Sequence, residues 1–428
     1  MSPELERIGQ LAKADPGLRF TALAHHIDEE FLHETWEGLN KRGAAGVDGI
    51  SMSMYAENLD ANLKDLVERL KAHSYQAPNI RRAYIPQAGN PAKMRPLGIP
   101  TVEDRLLQAA VSRLLMPIYE ADFLDCSYGF RPGRTAHQAL AEVRSAVLNG
   151  AAQWIVEADI KSYFDTIQHP WLMRMIELRI GDPWILRLIR KWLTAGILDQ
   201  GIVTAPEEGT PQGGPLSPLL ANIYLHYVLD LWFTRVVQRR CQGAAKIVRF
   251  ADDYIALFAC QKDAESFASA LPERMAKFGL KLAEEKTKLI PYGRRHWKRG
   301  QSHAHHFDLL GFRHHLGTDR YGRMTVVRIP SPKSVRKFLS AVHEWLRQHL
   351  HDRPSEQQKV LAQKLRGFYQ YFALWHTTTK LRTIREQVYR LWLTALRRRS
   401  QRGQLTWEAW RRKPWFDLPQ PKLLHRSV

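Results

Sequence analysis

Between Ile247 and Phe258 two apolar runs meet at a pair of acids, in the segment IVRFADDYIALF. Each run is too short for an ordinary helix, and both are rich in branched and aromatic residues that suit a pleated surface. The segment predicts a β-hairpin with Ala251-Asp252-Asp253 at its turn. A further short apolar run, QWIVEAD, predicts a strand that ends on Asp159. The chain is therefore expected to build a sheet whose strands carry carboxylates at their ends.

That pattern has a chemical meaning. Magnesium takes hard oxygen ligands, chiefly Asp, and keeps water and phosphate ligands besides. Two such ions about 3.5–4 Å apart can run phosphoryl transfer to a hydroxyl. Neighbouring acids on a hairpin turn repel each other and need a cation or strong donors nearby. Asp also favours turns for local reasons, so ordinary turn chemistry is the competing reading.

Charge points to the partner. The 428 residues hold 63 Lys and Arg against 43 Asp and Glu, a formal net charge of +20. Small-molecule chemistry rarely needs that excess. A polyanionic partner does, because each cation set near a phosphate releases a counterion. Nucleic acid is the expected partner, with a merely solubilising basic surface as the alternative. Cys126, Cys241 and Cys260 are far apart and form no CxxC pair, which argues against a disulfide framework and a cysteine zinc site. A reducing cytosol is the expected compartment. The polar start, MSPELERIGQ, does not read as a signal peptide. No membrane span is expected, since the longest apolar-looking stretch, Leu219 to Phe233, is broken by Asn222, His226 and Asp230.

The length suggests two or three domains. Residues 1 to 75 read as helical, with Leu59, Leu63, Leu66 and Leu70 on one stripe. From 76 to 100, Pro and Gly sit between short extended pieces, which predicts a hairpin with a basic tip. Helices and short strands alternate from 101 to 315. Ser217-Pro218 reads as the start of a helix that buries Leu219, Leu220 and Ile223. Beyond about 325 the chain reads as helical and basic. From Arg366 to Val428 there are 14 Lys and Arg against 3 Asp and Glu, a net of +11. Trp375, Trp392, Trp407, Trp410 and Trp415 lie among those cations and are expected to pack in a small core. Arg397, Arg398 and Arg399 are the expected grip on the phosphates of a structured RNA. His303, His305, His306, His314 and His315 have no Cys partners, and adjacent side chains diverge, so strand-surface or loop histidines are expected rather than a zinc site.

The motifs then fall into an order. GVDGIS (46–51), MRPLGIPTVEDRLLQ (94–108), SYGFRPGRTAHQAL (127–140), VEADIKSYFDTI (156–167) and GTPQGGPLSPLLANIYL (209–225) resemble successive blocks of bacterial group II intron reverse transcriptases. VRFADD (248–253), GLKLAEEKTKLI (279–290), FDLLGF (307–312) and LRGFYQYF (365–372) continue the series. The tail QVYRLWLTALRRRSQRGQLTWEAWRR is similar to that family's maturase, or thumb, region.

The resemblance implies an α/β (α+β) fold, a right-hand polymerase with fingers and palm followed by a helical thumb. Residues 1–80 would be a helical extension on the fingers, 81–318 the fingers and palm, 319–395 the thumb or maturase domain, and 396–428 a basic DNA- and RNA-binding segment. It implies an RNA-directed DNA polymerase, a nucleotidyltransferase of the two-metal kind, in the compact form without an endonuclease domain. Its cofactors would be two Mg2+ ions, with Mn2+ as a substitute. Its partners would be a structured intron RNA, an RNA template with a DNA primer, dNTPs and target DNA, in splicing and retrohoming. A splicing maturase with an idle polymerase site is a second reading. A reverse transcriptase domesticated for phage defence or DNA repair is a third.

Residue by residue, the resemblance makes Asp159, Asp252 and Asp253 the catalytic metal-binding acids, with the Ile160 carbonyl as a further ligand. Phe164 falls where a ring would exclude a ribonucleotide 2′ hydroxyl. Gln212 would lie over the incoming nucleotide, with Pro211 and Gly213 shaping its loop. Arg95 and Lys286 would contact nucleotide phosphates, and Arg131 those of the nucleic acid. Two positions leave the family pattern: Phe250 stands where Tyr is usual, and Gln87 where Lys is usual, with Lys93 as the substitute cation. Asp165 is expected to cap the helix that includes Pro170.

Overall fold

The computed structural model describes residues 3–425 except 88–89, 211–212, 284, 286, 299–304, 400–405 and 415; the side chains of 86–93 and 298 also lie outside the description. In chain order the strands are β1 (Ile80–Gln87), β2 (Asn90–Ile99), β3 (Trp154–Ala158), β4 (Ile197–Asp199), β5 (Ile202–Thr204), β6 (Ala245–Phe250), β7 (Asp253–Phe258), β8 (Lys288–Pro291), β9 (His306–Leu309), β10 (Phe312–Thr318) and β11 (Met324–Pro330). They form three sheets, ordered β2-β1-β4-β5, β6-β7-β3-β8 and β11-β10-β9.

The second sheet explains why its sequence is apolar rather than alternating. Along β7, Tyr254, Ala256 and Phe258 enter one core, while Ile255 and Leu257 enter another. Side chains point to opposite faces with a period of two, so a strand covered on both sides must be apolar throughout. The first core holds the N-terminal helices, the helix Val102–Asp122 and the helix Gln261–Lys277. Leu63, Leu66 and Leu70 are buried there, on the stripe expected for them. The second core holds the helix Ala136–Leu148, the third sheet and the C-terminal helices. Thr135 and Gln138 close a reciprocal capping box at the start of Ala136–Leu148, as T-x-x-Q chemistry dictates.

Asp104 ties three segments of the first core together. Trp192 Nε1 donates to it at 2.6 Å and Gln108 Nε2 at 3.1 Å, and the Tyr75 hydroxyl donates as well. Burial pushes its pKa up to about 6 despite those donors.

β10 and β11 pair along their whole length, from Phe312↔Pro330 to Thr318↔Met324. The border expected between 318 and 319 therefore falls in a hairpin turn. Sheet gives way to helix at Ser331, whose hydroxyl accepts from Ser334 N and caps the helix Pro332–Gln348. The helices Pro354–Phe372 and Thr378–Arg397 follow. Segment 406–425 turns back onto them. Trp410 sits against Trp392 at 5.1 Å with both rings fully buried, and Phe416 stacks on Tyr389 at 4.7 Å. Packing thus accounts for Trp392 and Trp410, but Trp375 is half exposed. No helix among the described residues is long and apolar enough to cross a membrane.

Candidate active site: the acid turn

Strand register brings the acids together. β3 and β7 run antiparallel, and their last pair is Ala158↔Tyr254. One step further along that register, Asp159 stands beside Asp253. β6 and β7 end on Phe250↔Asp253, which leaves Ala251 and Asp252 as a two-residue hairpin loop. Ala251 takes a left-handed φ of +56°, which costs a residue with a Cβ about 1 kcal/mol or more. Gly129 backs this turn so closely that a Cβ there would meet Ala251 N at 2.3 Å.

Arg249 holds the turn in place. Its side chain and that of Asp230 are fully buried, with Nε donating to Asp230 Oδ1 at 2.8 Å and Nη2 to Oδ2 at 2.5 Å. Nη1 donates to Asn222 Oδ1 at 2.9 Å and to the Ala251 carbonyl at 3.0 Å. Asn222 Nδ2 in turn donates to the Gly129 carbonyl at 2.7 Å. Sequence reasoning missed this network, although its signal was present. Asn222 and Asp230 are two of the three polar residues that interrupt the apolar stretch from Leu219 to Phe233. The third, His226, is buried beside them, and burial lowers its pKa to about 4, which keeps it neutral. The helix widens into a π turn over His226–Asp230, a change that resets which way its side chains point.

The electrostatics favour a cation between the acids. Burial, and then Asp159, raise the Asp252 pKa above its ordinary value, while Arg95 and Arg249 oppose the shift. Lys161 N donates to the Lys281 carbonyl and Ala283 N to the Asp159 carbonyl, so they flank the Ile160–Leu282 bridge. In such a pair the middle residue's own carbonyl faces away from its partner, and for Ile160 that is away from Leu282. No group of three or more His, Cys, Asp or Glu stands close enough among the described residues to cage a metal by itself. Magnesium bound through one or two carboxylates and completed by substrate phosphates needs no such cage, so the residues fit it.

Comparison with known proteins shows the family. Residues 85–314 match the family described as reverse transcriptase (RNA-dependent DNA polymerase). Protein YkfC of Escherichia coli (strain K12) is 34% identical over 377 residues, which cover 79% of this chain and 95% of that protein. The chain belongs to the reverse transcriptase family. It is an RNA-directed DNA polymerase with the mixed α/β, right-hand fold that the motifs implied. The group II intron-encoded protein LtrA of Lactococcus lactis subsp. cremoris is 40% identical over 232 residues, 53% of this chain and 38% of LtrA. An uncharacterized 91 kDa protein in a cob intron of Schizosaccharomyces pombe is 40% identical over 162 residues, 38% of this chain and 20% of that protein.

Other expected residues of this reverse transcriptase lie on β2, on β6 and in the segments that follow β3 and β5. Phe164 is half-buried in the turn after β3, its ring 5.5 Å from that of Tyr163. Thr210 N donates to the Phe164 carbonyl and Gly209 N to that of Ile167, both at 2.7 Å, so residues 209–210 lie against this turn. Gly213 lies close against β2, where a Cβ would meet the Gly98 carbonyl at 2.4 Å. The exposed Arg95 on β2 lies within electrostatic reach of Asp252 and Asp165. Phe250 is half-buried and packs its ring on the second core. Pro211, Gln212 and Lys286, and the side chains of Gln87 and Lys93, lie outside the described residues.

Three expectations change. Arg131 is buried and does not face nucleic acid. Its Nε and Nη2 donate to Glu120, and Nη1 and Nη2 donate to the carbonyls of Leu124, Ser127 and Phe123, which occupies its whole donor set. Asp165 does not cap the next helix, His169–Glu177, whose N-cap is Gln168. It lines a cavity with Arg82, Glu208, Gly209 and Thr210. His314 is not a surface histidine but a fully buried one, stacked on Phe307 at 4.5 Å. At the end of Thr378–Arg397, Arg397 and Arg398 are exposed, while Arg399 donates to the Asp352 carbonyl.

Proposed function

We propose that this reverse transcriptase copies an RNA template into DNA at the acid turn by a two-metal mechanism with Mg2+, and that its natural RNA is a structured intron transcript whose splicing and mobility it serves. The observation that carries the reading is the strand register, which sets carboxylates from two separate runs at neighbouring strand ends. Asp159, Asp252 and the Ile160 carbonyl would hold the ions, with Asp253 beside them. Two divalent ions bound there supply activation of the primer 3′ hydroxyl and neutralisation of the triphosphate. Arg95 draws the triphosphate toward the acids. Phe164 fills the space a 2′ hydroxyl would need, which favours dNTPs. The Arg249–Asp230–Asn222 network keeps the turn fixed while charge develops. Similarity to intron-encoded proteins supports the intron RNA as partner, and the net charge of +20 suits any long phosphate backbone.

Primer extension on an RNA template with dNTPs and Mg2+ tests the reading. Asp252→Ala should lower the rate by about a thousandfold or more, because a preorganised charge-stabilising group is lost. Full residual extension by that variant sinks the proposal. No extension by the parent protein, with splicing undiminished in the variant, would favour a maturase with an idle site.

A further inference from the structure

A cavity of about 700 Å³ opens between the tip of the β10–β11 hairpin, the helix Ala136–Leu148 and the loop after Pro354–Phe372, and no residue of the acid turn lines it. Four arginines line it: Arg144, Arg320, Arg323 and Arg328. The carboxylate among the lining residues is Asp319, and its own hairpin uses it. Asp319 Oδ2 pairs with Arg323 at 2.9 Å, and Oδ1 accepts from the amides of Tyr321 and Arg323. The cavity is therefore rich in cations. Arg328 is almost wholly buried, and burial followed by the nearby Arg144 lowers its pKa to about 10. Crowded, desolvated guanidinium groups are stabilised by an anion.

Aromatic rings complete the cavity. Tyr321 is 65% exposed and Trp375 50% exposed, although other tryptophans of the same basic tail are buried. Arg320 and Arg323 lie over the Tyr321 ring at 4.6 and 5.0 Å, which holds that ring in place. His376, next to Trp375, takes a left-handed φ of +73°, a strained conformation of the kind found at binding sites. Flat rings beside guanidinium groups match a base beside its phosphate.

We propose that this cavity is a second nucleic-acid site, which takes one unpaired nucleotide of a folded RNA, its base on Trp375 or Tyr321 and its phosphate on Arg144, Arg320 and Arg328. The proposal rests on RNA being the partner, as argued above. Duplex RNA hides its base faces and shows mainly backbone, whereas loops and bulges splay bases out to stack on aromatic side chains. The site would thus recognise a loop of an RNA held elsewhere on the basic surface.

The test uses the full-length protein and two labelled RNAs of equal length, a hairpin with an unpaired loop and a fully paired duplex. The parent should bind the loop RNA more tightly. Tyr321→Ala with Trp375→Ala should weaken loop binding about tenfold and leave duplex binding unchanged. Arg144→Ala should weaken loop binding and lower its salt slope by about one. Primer extension on a short template should not change in either variant. Equal weakening of both RNAs, or unchanged loop binding in the aromatic variant, overturns the proposal. Extension by the parent reports on the polymerase reading separately, so the two can fail independently.

Discussion

The acid turn and the arginine-lined cavity both gather charge of one sign, and the acid turn is backed by a fully buried ion pair. Beneath Asp252, Arg249 is matched oxygen by oxygen: two from Asp230, one from Asn222 and one from the Ala251 backbone. At the cavity, Arg328 is as deeply buried, yet its neighbours in the lining include three further arginines. A matched buried pair contributes little net stability, since desolvation offsets attraction, but it fixes geometry. A crowd of cations does the reverse: it is costly until an anion arrives. The difference separates a place that must hold still for chemistry from one suited to capturing a charged partner.

The comparison breaks first if the buried pair is opened. Asp230→Leu alone strands a buried guanidinium and should cost about 3–5 kcal/mol in urea unfolding. Adding Arg249→Met should restore much of that stability. It should not restore primer extension, because the Ala251 carbonyl and Asn222 have lost their donor. Full activity in the stable double variant would show that the network only fills space. Arg144→Ala at the cavity should instead raise stability slightly, since it relieves repulsion on the buried Arg328.

How much of this was legible in the sequence depends on how far apart the cooperating residues lie. The hairpin turn at Ala251-Asp252-Asp253 was legible from its apolar flanks, whereas joining Asp159 to it needed the ordered motifs; the strand register brings the two runs together. Asn222 and Asp230 were visible as interruptions in an apolar stretch, but their common partner, Arg249, could not be read from spacing. Arg131 was misassigned because residue type does not reveal where donors are spent; only the fold brings Glu120 and three carbonyls to it. The cavity was illegible. Arg144, Arg328 and Trp375 are distant in sequence, and Trp375 looks like its buried neighbours Trp392 and Trp410 until packing leaves it at the surface.

The acid turn can be sharpened one step out from the metals, at Phe164. Its ring is half-buried, and its carbonyl is fixed by Thr210 N, so the side chain is held without carrying the core. Phe164→Ala should raise ribonucleotide incorporation about a hundredfold relative to dNTPs, the scale on which a pocket rejects one extra group. Parallel extension reactions with dNTPs and NTPs measure the ratio. An unchanged ratio would return Phe164 to a packing role.

The smallest expected effect lies on β10, whose far end lines the cavity. His314, in its middle, is fully buried; burial first, then Arg328 and His315, lower its pKa to about 3. The folded value is below the ordinary 6.5, so the neutral ring contributes stability above pH 6.5 that is lost as pH falls toward about 3. Between about pH 7 and about pH 5.5 this one group should cost about 1 kcal/mol. His314→Phe keeps a ring on Phe307 and removes the titration. Urea unfolding across that range should therefore show a shallower loss of stability in the variant. Equal slopes would mean that His314 takes up its proton in the folded state, and that the region around Arg328 tolerates one more positive charge than its crowding implies.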